Sequence, residues 1–171
     1  MTNRRFAVAT LLTGVIAGLV GLACIHLLHW IQALAWDMHS GTLLEAVSAA
    51  SPARRVLNLV LGGILGAASW FFLFRRSRAI TSVSAAVGGT PMPPLRATWH
   101  ALTQVLIVGL GASVGREVAP REMAAAFSAA AADRLGLTPE DRRIIVACGA
   151  GAGLAAVYSI PISGAIYTLE I

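Results

Sequence analysis

A mainly apolar run from Phe6 to Trp36 is the feature that most constrains how this chain can fold. As a helix it would be about 46 Å long at about 1.5 Å per residue, whereas a hydrocarbon core is about 30 Å thick. Arg4, Arg5 and Cys24 would also suit a cleaved signal sequence, but the apolar part of a signal peptide has only about 7–15 residues. We therefore predict a retained transmembrane helix that is strongly tilted or projects from the membrane.

The composition and the arginines indicate a multi-pass protein of the cell membrane. Hydrophobic residues are 57% of the chain and charged residues 12%, against roughly 25% charged residues in soluble domains. A second apolar segment, Val56 to Phe74, is long enough to span the membrane, and a mixed loop from Asp37 to Pro52 precedes it. Five arginines lie before the first apolar segment or after the second: Arg4, Arg5, Arg75, Arg76 and Arg78. Only two, Arg54 and Arg55, lie between the two segments. This bias places the N-terminus in the cytoplasm and the loop outside.

The arginines flank apolar segments instead of forming a stripe, so we expect anionic lipid headgroups, and no nucleic acid, as their partners.

Each of the two cysteines, Cys24 and Cys148, lies in an apolar run and is interpreted as a small buried side chain. Without a CxxC pair or a His/Cys cluster, the sequence predicts neither a metal site nor a cofactor.

Beyond residue 79 the apolar segments become short and are interrupted by glycine and proline. The stretch Gly88-Gly89-Thr90-Pro91, followed by Pro93 and Pro94, cannot lie in the middle of a long helix. The next apolar segment, Ala101 to Val114, is short for a span. Short, broken helices at membrane depth leave backbone groups unpaired unless those groups line a cavity. The sequence therefore predicts an all-α membrane protein with tilted and broken helices.

Local capping chemistry predicts the helices of the last third of the chain. Pro120 suits the first turn of a helix that runs to about Leu135, where Gly136 suits its C-terminal end. Thr138 and Pro139 suit the start of another helix, which Pro161 separates from a last apolar segment.

The adjacent charges Arg116 and Glu117 stand in this otherwise apolar region. A charge at membrane depth costs roughly 2.5–3.5 kcal/mol or more, so it persists mainly where it has a function. Helix N-termini carry partial positive charge and free N–H groups, and the sequence places one after Gly88–Pro91 and another at Glu117 to Pro120. The residues alone thus indicate an anion-conducting or anion-transporting membrane protein in which Glu117 is a titratable gate.

These residues resemble motifs of the CLC family of chloride channels and proton/chloride antiporters. Gly115-Arg116-Glu117, with Pro120 after it, is similar to the G-[KR]-E-G-P motif, whose Glu is the family's gate, and Val118 and Ala119 stand where Gly and Pro are usual. Gly88-Gly89-Thr90-Pro91 resembles the anion-coordinating G-S-G-I-P loop, with Gly88 in place of its Ser. Ala147–Ala156 resembles a helix of small residues in the family, and the segment with Pro161, Gly164 and Glu170 resembles the family's next helix.

The resemblance implies a CLC-like inverted-repeat fold of which residues 1–171 supply the first repeat, without the second. It implies anion binding by Gly88, Gly89, Thr90, Pro91, Arg116, Val118, Ala119 and Pro120, and a homodimer when full length. It also implies chloride or a similar small anion as substrate, together with protons where the protein is an antiporter. The family's proton-transfer Glu is replaced by Ile171, which leaves Glu170 as the alternative residue on a proton pathway.

Two other functions compete with a gated anion pathway. The chain would be a nonconducting half-protein or membrane subunit if it requires a partner repeat. The stretch Gly111-Ala112-Ser113-Val114-Gly115 also fits G-x-S-x-G, the pattern of serine hydrolases. No His follows Ser113 and no strand is predicted before it, so we expect no enzyme.

Overall fold

The computed structural model of the protein describes residues 2–38, 40–75 and 80–171, and all its regular elements in these ranges are α-helices. This confirms the predicted all-α class. The helices are α1 (Thr2–Trp36), α2 (Leu43–Ala49), α3 (Pro52–Arg75), α4 (Val83–Val87), α5 (Pro94–Gly109), α6 (Val118–Arg134), α7 (Pro139–Tyr158) and α8 (Pro161–Glu170). By length and composition α1 and α3 can each cross a membrane.

Helix α1 packs along one line of small and aliphatic side chains, among them Ala9, Ala17 and Cys24, which are nearly inaccessible. Of the three glycines Gly14, Gly18 and Gly21 on this helix, only Gly21 allows close approach to a neighbouring helix: a Cβ there would lie 2.6 Å from the Ala156 Cβ. Gly14 and Gly18 have nothing within 4 Å of such a Cβ.

The segment between α1 and α3 is not only the loop that the sequence suggested. Thr42 and Glu45 form a capping box that starts the short helix α2, in which the Thr42 amide donates to Glu45 Oε2 at 2.9 Å. The S/T-x-x-E pattern that produces this start is visible in the sequence. Helix α3 then begins at Pro52, four positions before the predicted Val56, because proline suits the first helical position.

The two arginines that were assigned to the outer side cap the ends of helices. Arg54 Nε donates to the carbonyl of Ala35 at 2.8 Å, and Arg55 Nε donates to the carbonyl of Ala50 at 3.0 Å. A cation at a helix C-terminus is favoured by the helix dipole and satisfies carbonyls that have no partner within the helix. Arg54 and Arg55 therefore have a local structural role in addition to any influence on orientation. Arg76 and Arg78, which carry part of the orientation argument, lie outside the described residues.

The region after residue 79 differs from its sequence-based outline at two points. A short helix, α4, precedes the glycine pair; it is capped by Ser82, whose Oγ accepts from the Ala85 amide at 3.2 Å. Helix α5 spans Pro94–Gly109, and the predicted apolar segment Ala101–Val114 therefore starts too late and ends too late. Pro94 occupies the first helical turn, where its missing N–H costs nothing.

The centre of the fold is the packing of α6 on α7, with α1 lying against both, α5 against α6 and α8 against α7. A Cβ on Gly153 would lie 2.5 Å from the Pro120 carbonyl oxygen, and one on Gly149 would lie 2.6 Å from Ser128 Oγ. The small residues of α7 thus form a contact surface that brings the backbone of α7 directly against α6.

The predicted ends of α6 and α7 are confirmed. Gly136 adopts φ 64°, and the Leu137 amide donates to the Ala132 carbonyl at 3.2 Å, as in a glycine-terminated helix. Thr138 Oγ1 accepts from the Asp141 amide at 3.2 Å at the start of α7.

Candidate functional site

A tight turn between α5 and α6 carries the charged pair singled out in the sequence. Gly111 (φ 102°) and Gly115 (φ 77°) adopt left-handed backbone conformations that other residues rarely take. At Gly115 there is a second constraint, since an added Cβ would lie 2.5 and 2.6 Å from the two carboxylate oxygens of Glu117. Glycine at position 115 therefore allows the Glu117 side chain to lie back against the turn.

The Glu117 carboxylate is half-buried and has one described side-chain donor. Tyr158, the last residue of α7, donates its hydroxyl to Glu117 Oε2 at 3.0 Å. This bond joins two positions that are 41 residues apart. Sequence analysis missed Tyr158, because a contact between the ends of two different helices has no local sequence signal.

Arg116 places a positive charge next to Tyr158. Its guanidinium carbon lies 5.0 Å from the centroid of the Tyr158 ring, in a cation–π arrangement. The ring of Tyr158 therefore contacts Arg116 while its hydroxyl binds Glu117. Arg116 itself is exposed, which leaves its charge available to an approaching anion.

The first turn of α6 provides backbone donors next to Glu117. Glu117 is the residue that precedes α6, and its side chain does not cap the helix. Within the described part of the chain, no backbone carbonyl or side chain accepts from the amides of Val118 and Ala119. Such amides and the helix dipole together favour a negative charge. Pro120 has no N–H, and it is buried against α7, which holds this helix end in place.

The loop Gly88–Pro91 does not have free donors of this kind. The amides of Gly88, Gly89 and Thr90 donate to the carbonyls of Ser84, Ala86 and Ala85 at 2.9, 3.1 and 2.9 Å. These bonds close the C-terminal end of α4, and the helix start that follows the loop consists of Pro93 and Pro94, which lack N–H groups. Anion binding by Gly88–Pro91 stays a prediction, and in this conformation its first three amides are already used.

The remaining predicted residues lie apart from this turn. Glu170 is the exposed last residue of α8, and no contact described here joins it to Glu117. Ser113 is exposed in the turn before Gly115, and the described hydrogen bonds give it no histidine partner. The structure thus brings together Arg116, Glu117, Val118, Ala119 and Pro120.

The geometry defines a helix N-terminus that either a carboxylate or a small anion can occupy. Two uncapped amides, a nearby guanidinium and the ionisable Glu117 share this end of α6. Because two negative charges at one positive site repel each other, the carboxylate and a free anion would compete.

Comparison with known proteins identifies the family. The sequence profile of the voltage gated chloride channel family matches residues 62–171, and the chain belongs to this family. It is a family of ion channels and transporters, which excludes the enzyme alternative. The chain is 30% identical to a voltage-gated ClC-type chloride channel ClcB from Yersinia pseudotuberculosis (serotype O:1b, strain IP 31758) over 171 residues, 94% of this chain. It is also 30% identical to a protein of the same name from Escherichia coli O81 (strain ED1a), over 98% of this chain.

The chain spans 41% of the length of each of these relatives. No solved structure matches it. The match along nearly the whole chain agrees with a CLC-like all-α membrane fold.

Proposed function

We propose that this chain is the first repeat of a CLC-type transmembrane domain and supplies a proton-gated part of a chloride pathway. One observation carries the proposal: Glu117 stands at the uncapped start of α6, where its carboxylate and an anion would compete for the same amides. Family membership and the printed function of the relatives, a chloride channel, support chloride as the anion.

The gate works through the charge on Glu117. In its ionised form the carboxylate is held by the Tyr158 hydroxyl and repels an anion approaching Val118 and Ala119. A proton removes that charge and weakens the bond to Tyr158, because a charge-assisted hydrogen bond is roughly twice as strong as a neutral one. The side chain then swings away and the anion reaches the amides. Acid pH therefore favours conduction.

Chloride efflux from liposomes tests this function. We expect chloride-loaded vesicles that contain the chain to release chloride faster than empty vesicles, with faster release at acid than at neutral pH. Release that is no faster than from empty vesicles, both for the chain and for the chain supplemented with a second CLC-type repeat, would rule out the proposal.

A nonconducting half-protein is the second candidate, and one observation favours it. The chain covers only 41% of the length of the relatives. The coding sequence next to that of this chain distinguishes the two candidates. If it encodes a second inverted repeat with another glycine-rich helix start, that repeat completes the anion pathway. Efflux that appears only when both segments are present would support this candidate.

The orientation, the assembly and the proton coupling belong to the same proposal. The arginine bias supports a cytoplasmic N-terminus in the inner or plasma membrane of a bacterium. The family resemblance supports a homodimer of the completed protein. Glu170, at the exposed end of α8, is the proposed proton-exchanging group if the protein is an antiporter.

Removing the Tyr158 hydroxyl should loosen the gate. For Tyr158→Phe we expect the midpoint of the efflux–pH curve to move to higher pH, because the variant loses the hydroxyl that binds the ionised carboxylate of Glu117. Tyr167→Phe is the matched control, since the Tyr167 ring contacts Arg121 and not the gate. Equal midpoints for both variants would contradict a role of Tyr158.

A further inference from the structure

A second ionisable pair lies between α5 and α6, away from the gate. His100 Nδ1 of α5 is 2.7 Å from Glu122 Oε2 of α6, and the two side chains are only 17% and 10% accessible. Both helices are otherwise packed through small and apolar side chains, and the Trp70 ring lies 6.1 Å from the imidazole. An ionisable pair inside a membrane protein is costly unless it has a use.

Gln104 completes the cluster from one helical turn beyond His100. Its Nε2 is 2.9 Å from His100 Nδ1 and 3.3 Å from His100 Nε2. With Nδ1–H donating to Glu122, the imidazole keeps this bond in its neutral form and in its protonated form. A glutamine amide has both a donor and an acceptor end, so the Gln104 carbonyl oxygen, after a flip of the amide, can accept from the protonated ring. The cluster thus offers His100 a hydrogen-bond acceptor in both charge states.

Most of the other charged and titratable groups on these helices and on the helices packed against them have described contacts elsewhere, or lie near helix ends. On α6, Glu117 binds Tyr158 of α7, Arg121 contacts Tyr167, and Asp133 pairs with Arg142 of α7. On α3, Arg54 and Arg55 bind carbonyls and Arg75 lies over Phe71. The rest are Arg4, Arg5, Cys24, His26 and His29 on α1, Arg96 on α5, Arg134 on α6, and Glu140, Asp141, Arg143 and Cys148 on α7; α4 has none. The Cys24 thiol contacts the Met123 sulfur at 4.0 Å. Arg96, one turn before His100, is the nearest to it along α5.

We propose that His100, Glu122 and Gln104 form a second proton-binding site, in which the imidazole takes up a proton from water and Glu122 compensates the charge. The site then changes from a net charge of about −1, with a carboxylate and a neutral ring, to about 0. Histidine is the side chain suited to such a change between about pH 5 and pH 8. No other proton donor or acceptor is required for this uptake.

The site can influence the gate through its charge, and this part rests on the proposed function. Glu122 follows Glu117 by five residues on α6, which is about 7.5 Å along the helix axis at about 1.5 Å per residue. Before proton uptake, the negative site disfavours an anion at the start of α6, and uptake removes this repulsion. The pair therefore acts in the same direction as Glu117, and both favour anion entry at acid pH.

Nuclear magnetic resonance of histidine-labelled protein tests the proton site without any transport. The chain has four histidines. We expect the signal that disappears in His100→Gln to change its charge state between about pH 5 and pH 8 in the wild type. In Glu122→Gln, a nearly isosteric change, the pH dependence of the same signal should differ from that of the wild type, because the amide offers no negative charge. His29→Gln, which replaces an exposed histidine of α1, should leave the His100 signal unchanged.

Chloride efflux then tests the link to the gate. Glu122→Gln should raise efflux at neutral pH by about two- to tenfold, the range expected for removing one charge at this distance, and make its pH dependence shallower. A His100 signal that stays constant over the whole pH range, or that is the same in Glu122→Gln, would show a static interhelical bond and overturn the proposal. Absence of efflux in the wild type would count against the proposed function alone, because the titration is measured independently.

Discussion

Chloride efflux through Glu117→Gln should lose most of its difference between acid and neutral pH. The amide cannot ionise, so it neither repels an anion at the start of α6 nor forms a charge-assisted bond with Tyr158. That bond is expected to contribute about 1.5–3 kcal/mol, and a tenfold change corresponds to about 1.4 kcal/mol. At neutral pH we therefore expect efflux at least about tenfold above that of the wild type.

Glu140→Gln provides the matched control for this prediction. Glu140 is an exposed carboxylate in the first turn of α7, and its replacement changes the net charge by the same amount. Its efflux should keep the pH dependence of the wild type. If Glu117→Gln also kept that dependence, the pH sensor would lie elsewhere in the protein, and the assignment of Glu117 as the gate would be wrong.

The second large effect is expected from Gly153→Val. A Cβ at this position would lie 2.5 Å from the Pro120 carbonyl oxygen and 2.9 Å from the Ala124 Cβ, so valine cannot be accommodated without moving α6 away from α7. Overpacking of this kind costs typically 1–3 kcal/mol. Because Pro120 belongs to the first turn of α6, the displacement also reaches Glu117, the proposed gate. We expect earlier loss of the monodisperse peak when detergent-solubilised protein is heated, and loss of acid-stimulated efflux.

Gly14→Val introduces the same side chain into α1, where a Cβ would meet nothing within 4 Å. This variant should behave as the wild type in both measurements. Equal thermal stability of the two variants would mean that α6 and α7 are not packed as closely as the structure shows.

Features with local causes were predicted well from the sequence. The end of α6 at Gly136 and the start of α7 at Thr138 depend on residues within one helical turn, and both predictions are confirmed. The short helices α2 and α4 were missed because each is only a few residues long. The start of α5 was misplaced because Pro94 was interpreted as a break, whereas it stands in the first helical turn.

The candidate site was only partly predictable, since its groups come from separate helices. The motif around Glu117 identified the turn, but not the bond from Tyr158, which lies at the far end of α7. The buried pair of His100 and Glu122 likewise requires α5 to pack on α6. Conversely, Gly88–Pro91 resembles an anion-binding loop in sequence, but the sequence did not show that the amides of Gly88, Gly89 and Thr90 donate to carbonyls of α4.

Chloride binding to the purified protein at neutral pH is the most direct test of the central claim, that the Glu117 carboxylate and the anion compete for the start of α6. Titration calorimetry would compare the wild type with Glu117→Gln, using the chain together with the remaining repeat if that segment is required for binding. We expect Glu117→Gln to bind chloride about tenfold more tightly than the wild type at neutral pH, and this difference to disappear at acid pH. Equal chloride affinities of the two proteins at neutral pH would contradict it.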